Sequence, residues 1–206
     1  MTLSVVINSA ADAPHAKHAL SSGGVPYSWR AYALQNFILP AYIADPSVDE
    51  VIVAGEWHEG EGYTYVPVEP EYRTLADCIA QRQAGFEAST GAWVIFQHDD
   101  HIFREPCGFT KFAGVRAGTV DVVSPSRWTY ARKTGGEELN SGFEKYIDGH
   151  GAVYRREVLR RCPWSEVPVQ FTMDVAHTEQ VKKKFSVLWA ATWQIFDCEY
   201  GASPWL

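Results

Sequence analysis

Long apolar runs are missing from this chain, and so are the glycine fingerprints of the common nucleotide loops. No stretch reaches the roughly 20 apolar residues that a membrane-spanning helix needs, so no membrane partner is expected. Nothing reads as a P-loop or as Gly-x-Gly-x-x-Gly. A nucleotide site here must therefore use other means. The four cysteines, Cys78, Cys107, Cys162 and Cys198, form no Cys-x-x-Cys pair and match no zinc spacing. They read as free thiols in a reducing compartment. The run from Met1 to Ile7 has no basic leader and no cleavage motif. It reads as a first strand rather than a signal peptide, and the chain is expected to be cytoplasmic. Basic residues are in deficit, 18 Lys and Arg against 25 Asp and Glu, for a net charge of −7. That balance counts against a nonspecific grip on phosphate backbones.

What is present suits one domain. The 206 residues are 46% hydrophobic and 21% charged, enough to build a core. Tryptophan is frequent, at 8. Such rings can line a sugar or base pocket, although most fill cores. Strand patterns at 3–7, 49–55, 63–68, 92–96 and 120–124 alternate with helical patterns at 27–42 and 75–88. Pro40 is expected to end or kink the first helix. A polar loop is expected over 129–141, helices over 153–161 and 174–184, and a late strand over 185–193. This alternation predicts an α/β fold, a mostly parallel sheet with helices on both faces. Ligands of such sheets bind beyond the carboxyl ends of the strands.

The fourth strand delivers Gln97-His98-Asp99-Asp100-His101 to such an end. Adjacent carboxylates after a buried strand are costly unless a positive partner sits with them. A divalent cation, Mg2+ or Mn2+, is an economical partner, and the flanking histidines favour manganese. The competing reading is a turn whose aspartates cap a helix or face water. A second charge feature lies at 152–185, where seven basic residues stand against four acidic ones. It is a place for a phosphate-bearing partner or, more blandly, a solvated helix face.

Several stretches, taken in order, resemble GT-A glycosyltransferases, the family 2 group in particular. Ala80 to Gly85, Ser89-Thr90-Gly91, Trp93 to Phe96 and His98-Asp99-Asp100 are similar to that group's helix, turn, strand and metal motif. Leu3 to Ile7 with Asn8-Ser9 resembles its first strand and nucleotide loop. Val48 to Gly55 resembles its second strand, with Glu56 where a carboxylate contacts the base. Gly149 to Leu159 is similar to its glycine-rich acceptor loop and following helix. Met173-Asp174-Val175 is similar to the element that carries its catalytic base. The departures are His98 in place of the first Asp, Gln83 in place of Asn, and Met173 in place of Glu.

The resemblance implies a GT-A-like single domain, with about 1–103 binding a nucleotide-sugar and about 104–206 binding the acceptor. It implies a metal-dependent transfer from a UDP-sugar to a hydroxyl acceptor. Asp99, Asp100, His98 and His177 are the candidate metal ligands. Asn8, Ser9, Glu56, Arg82 and Asp99 are the candidate donor contacts. Asp174 is the candidate base, with a helix cap as its alternative role. Gly149, His150, Arg155, Arg156 and Trp128 are the candidate acceptor or phosphate contacts. Trp164 and Trp205 join Trp128 as candidates for a stacking wall. A nucleic-acid acceptor ranks behind a saccharide because the chain is acidic. Two other readings stand beside this one. A nucleotidyltransferase would want a basic loop near the first strand, and Asn8 to Gly24 carries only Lys17 and two histidines. A non-catalytic sugar- or nucleotide-binding module would keep the fold without the chemistry.

Overall fold

The computed structural model describes residues 2–9, 27–69, 75–99, 101–103, 118–131, 136–139, 144–147, 149, 151–167 and 173–197. Nine strands among these residues join in one mixed sheet. They are β1 (Leu3–Ser9), β2 (Glu50–Gly55), β3 (Thr64–Pro67), β4 (Trp93–His98), β5 (His101–Phe103), β6 (Val122–Ala131), β7 (Gly136–Leu139), β8 (Val153–Arg155) and β9 (Val187–Asp197). Their order is β3-β2-β1-β4-β8-β6-β9-β5, and β7 pairs with β6 off this path. The block β3-β2-β1-β4 is wholly parallel. Strand β8 then runs antiparallel to both β4 and β6, while β6 and β9 run parallel.

Alternation along the strands sends side chains to two cores. Leu3, Val5 and Ile7 of β1 join Val51, Val53, Trp93 and Ile95 on one face. That face is covered by α1 (Tyr27–Ala33) and α2 (Leu39–Ile43), which contribute residues such as Ala33, Leu39 and Tyr42. Val6, Ile52, Val94 and Phe96 point to the other face. Helices α3 (Leu75–Ala88), α4 (Arg156–Arg161) and α5 (Met173–Lys182) cover it through Ile79, Val158, Leu159 and Val181. The α/β architecture with helices on both faces is the one the alternation predicts. Among the described residues no helix is long and apolar enough to cross a membrane.

Three local differences have physical causes. The helix containing Pro40 is not ended there. A wider turn over Leu34–Ile38 precedes it, in which the Leu39 N–H bonds to the Leu34 carbonyl. Proline has no N–H for the usual four-residue bond, and the wider turn absorbs that loss. The expected polar loop at 129–141 is partly strand, because Trp128 to Ala131 pair antiparallel with Gly136 to Leu139. The helix expected from Val153 starts only at Arg156, since Val153 and Tyr154 are sheet residues buried in the two cores. In β6 the pairing jumps from Pro125–Ala190 to Ser126–Gln194. A proline that cannot donate to the ladder suits such a break.

The amino end of the parallel block is held by Glu50. Its carboxylate accepts from Ser4 Oγ, from the Thr90 and Gly91 N–H groups and from Thr90 Oγ1. Burial alone would raise its pKa, but these four donors outweigh burial and hold it below the ordinary glutamate value. Glu50→Ala removes the acceptor of Ser4 Oγ and of the Thr90 N–H and hydroxyl, while the Gly91 N–H keeps Ser4 Oγ. It is expected to cost about 2 kcal/mol in urea unfolding. Ligand-induced shifts should be unchanged, because Glu50 opens β2 and the candidate site lies at its other end.

Candidate functional site

Parallel register brings the carboxyl ends of β1, β2 and β4 together. Asn8 pairs with Ala54 on one side and His98 on the other, and Ser9 pairs with Gly55. The chain holds this register just past the strands. The Asp99 N–H donates to the Asn8 carbonyl at 3.2 Å, and the Glu56 N–H donates to the Ser9 carbonyl at 2.8 Å. Gly55 makes the close approach feasible. Its φ is +128°, and a Cβ there would collide with the Ser9 carbonyl and the Gln81 amide. Asn8, Ser9, Glu56, His98 and Asp99 therefore lie on one sheet edge, as the strand pattern predicts. Asn8 Nδ2 donates to the Cys78 carbonyl at 3.2 Å, while its buried Oδ1 accepts no hydrogen bond among the described residues.

Charge at this edge is met by guanidinium groups. Asp99 is 1% exposed and its Oδ1 sits 2.7 Å from Arg30 Nη1 of α1. His98 Nε2 lies 3.2 Å from Arg82 Nη2 and 3.5 Å from Cys78 Sγ. A guanidinium can only donate, so His98 Nε2 presents its lone pair and the neutral ring carries its proton on Nδ1. Arg82, from α3, is fully buried. It also donates from Nη2 to the Gly149 carbonyl at 3.1 Å and faces Asp174 Oδ1 from Nη1 at 3.5 Å. Its guanidinium lies 4.3 Å from the centre of the Trp164 ring. Asp174 itself, in the first turn of α5, keeps 19% of its side chain exposed.

Several expected site residues are elsewhere. Arg82 is fully buried, where it links the end of β4 to α5 through His98 and Asp174. His177 is also fully buried and is not brought to Asp99. Its Nε2 donates to the Cys162 carbonyl at 3.0 Å, and its ring stacks on Trp164 with centroids 3.9 Å apart. Arg155 and Arg156 sit at the opposite end of the sheet, because β8 is antiparallel to β4 and Arg155 pairs with Trp93, the first residue of β4. That is roughly 17 Å from His98 along the strand. Arg155 binds the Gly118 carbonyl and Asp121, while Arg156 binds the Gly91 carbonyl and Ser89 Oγ. Trp128 is half-buried in β6, with its Nε1 donating to Ser126 Oγ. It pairs with Phe196 of β9, which pairs in turn with Ile102 of β5. One strand, β9, thus separates Trp128 from His101–Phe103, which follow Asp99 in the chain. Trp164 is core rather than wall, at 2% exposure. Asp100, His150 and Trp205 lie outside the described residues.

The expected cation can be tested against these donors. Among the described residues no three His, Cys, Asp or Glu side chains gather as a ligand set. Asp99 Oδ1 and His98 Nε2 each face a guanidinium. These described donors do not fit a hard dication, which wants several free oxygens. The positive partner that the Asp99 carboxylate demands is Arg30. Sequence reasoning missed Arg30 and Cys78. Neither carries a local signal, since contacts to residues 69 and 20 positions away bring them in.

No protein-family model matches the chain, and no curated protein matches it in sequence. Solved structures do match its fold. S. aureus TarS superposes with a TM-score of 0.56 at 13% identity, over 95% of this chain and 36% of that one. A TarS fragment has been solved in complex with UDP-GlcNAc. Glucosyl-3-phosphoglycerate synthase from Mycobacterium tuberculosis, in complex with Mn2+, UDP and glucosyl-3-phosphoglycerate, gives 0.52 at 13% identity, over 92% and 70%. Bifunctional IspDF from Campylobacter jejuni gives 0.53 at 10% identity, over 93% and 50%. The chain spans about a third of the length of TarS. At these identities the likeness establishes a GT-A-like, nucleotide-diphospho-sugar transferase fold, one shared by glycosyltransferases and nucleotidyltransferases.

Proposed function

We propose that this protein transfers a sugar from a nucleoside-diphosphate sugar, a UDP-sugar first, to a hydroxyl acceptor. One observation carries the reading. A single guanidinium, Arg82, touches both His98 at the donor edge and Asp174 on α5. A partly exposed carboxylate therefore stands one guanidinium away from the strand ends where a nucleotide-sugar would lie. In the proposed reaction the acceptor oxygen attacks the anomeric carbon as its proton passes to Asp174. The bond from that carbon to the diphosphate oxygen breaks, and the nucleoside diphosphate leaves with both electrons. Arg30, ion-paired with Asp99, stands at the edge where that negative charge develops and would stabilise it as a hydrogen-bond donor. Asn8, Ser9 and Glu56 are the proposed contacts to the nucleoside, and Gly149, His150 and Trp128 are proposed for the acceptor side. Mn2+ or Mg2+ is the cofactor that the resemblance implies. The manganese of glucosyl-3-phosphoglycerate synthase belongs to that protein.

A nucleotidyltransferase is the second reading, favoured by the IspDF likeness. The products separate the two. Sugar transfer releases a nucleoside diphosphate, and nucleotidyl transfer releases pyrophosphate.

Thermal unfolding against nucleoside diphosphates and their sugars tests the donor site, with Mn2+, Mg2+ or chelator present. A UDP-sugar at about 100 times its dissociation constant should add roughly 2.7 kcal/mol to the folded state. Glu56→Ala should shrink that shift, because Glu56 is a half-buried residue of the donor edge whose loss leaves the strands paired. If no nucleotide moves the midpoint under any metal condition, the donor reading is wrong.

A further inference from the structure

Arg82 has no access to solvent, yet it joins four elements that each bear on the site. It leaves α3, passes over the Trp164 ring, and meets His98 at the end of β4, the Gly149 carbonyl, and Asp174 in the first turn of α5. We propose that Arg82 is a positioning residue for Asp174. It fixes the carboxylate relative to the donor edge and makes no contact with the donor. The proposal rests on the reading of Asp174 as the base.

Geometry supports this in three ways. First, a planar guanidinium with donors at both Nη1 and Nη2 can bridge a carboxylate and an imidazole lone pair at once, whereas a lysine ammonium offers one point charge. Second, Trp164 lies under the guanidinium and is itself backed by the His177 ring, 3.9 Å away and tilted by 23°. This stack limits how far the group can swing. Third, position 149 has no room for a side chain. A Cβ there would strike Arg82 Nη2 and come within 2.6 Å of Asp174 Oδ1. The absence of a side chain at Gly149 is what lets the guanidinium and the carboxylate meet. A residue that served nucleotide binding would need an exposed face, and Arg82 is fully buried.

The test uses the full chain with UDP-glucose and UDP-N-acetylglucosamine as donors and water as acceptor, following release of UDP. Arg82→Lys should slow release about 100-fold, the size expected when a reacting group is displaced by about 1 Å. Its affinity for either UDP-sugar should stay within about twofold of the parent. In the Asp174→Asn background, Arg82→Lys should cause no further loss, since its effect passes through that carboxylate. Gly149→Ala keeps the buried charge and still separates the pair. It should lower turnover in the same way and guards against a lysine variant that fails to fold. A tenfold or larger loss of UDP-sugar affinity in Arg82→Lys would place Arg82 against the donor and overturn the proposal. So would a rate loss that multiplies with that of Asp174→Asn. Full turnover in Asp174→Asn alone would instead remove the base reading, whatever Arg82 does.

Discussion

Asp174→Asn is expected to bind a UDP-sugar as the parent does and to release UDP between 10²- and 10⁴-fold more slowly, the usual contribution of a positioned general base. That range corresponds to about 3–5 kcal/mol in the barrier. An amide nearly matches the carboxylate in shape but cannot take a proton, so the loss belongs to the rate and not to donor affinity. The fold should survive. The bond from Thr178 Oγ1 to residue 174 goes to the main-chain carbonyl, at 2.6 Å, and does not depend on the side chain. Removing the charge beside Arg82 should lower unfolding stability by about 1–3 kcal/mol. Calorimetric titration with UDP-sugar, alongside single-turnover release of UDP, separates the two effects. Parent-like turnover, or donor affinity lost in step with rate, would assign Asp174 to the cap or to donor binding.

The gathering of Asn8, Ser9, Glu56, His98 and Asp99 at one end of the parallel strands was legible in the sequence because it follows from local pattern. Leu3 to Ile7, Val51 to Ala54 and Trp93 to Phe96 are compact apolar runs, which form buried parallel strands. Once parallel, three such strands must end together, and the residues just after them share an edge. Leu75 to Ala88 was readable through its helical spacing, with the bounds the structure gives. What failed depended on strand direction and on distant contacts. Arg155 and Arg156 follow Gly149, whose carbonyl accepts from Arg82, but the antiparallel course of β8 carries them away to the far end of β4. The 129–141 stretch lacks an apolar face of its own, and residues 129–131 and 136–139 become strand only by the pairing of β6 with β7. The guanidinium at Asp99 was invisible for a simpler reason. An unpaired buried carboxylate demands a positive partner without specifying which, and chain topology chose Arg30.

The stack beneath Arg82 makes stability sensitive to acid. His177 is fully buried, and burial is the main reason its pKa falls from 6.5 to about 4. The bond to the Cys162 carbonyl opposes that fall, and the Arg82 charge across Trp164 adds to it. The folded state thus holds His177 neutral at a pH where the unfolded chain protonates it. Between about pH 6.5 and pH 4 the unfolded state binds more protons, so stability rises with pH across this window. The contribution is complete above about 6.5 and lost as pH falls toward 4. A depression of this size corresponds to about 3 kcal/mol. His177→Gln removes the titrating group, and its long amide can still donate toward the Cys162 carbonyl. Urea unfolding at pH 7 and pH 4 should show the parent losing about 3 kcal/mol more than the variant over that interval. Equal losses would mean that His177 takes up its proton in the folded state without cost. The ring would then be open to water, and the layer of Arg82, Trp164 and His177 would not be the rigid support on which Asp174 is held.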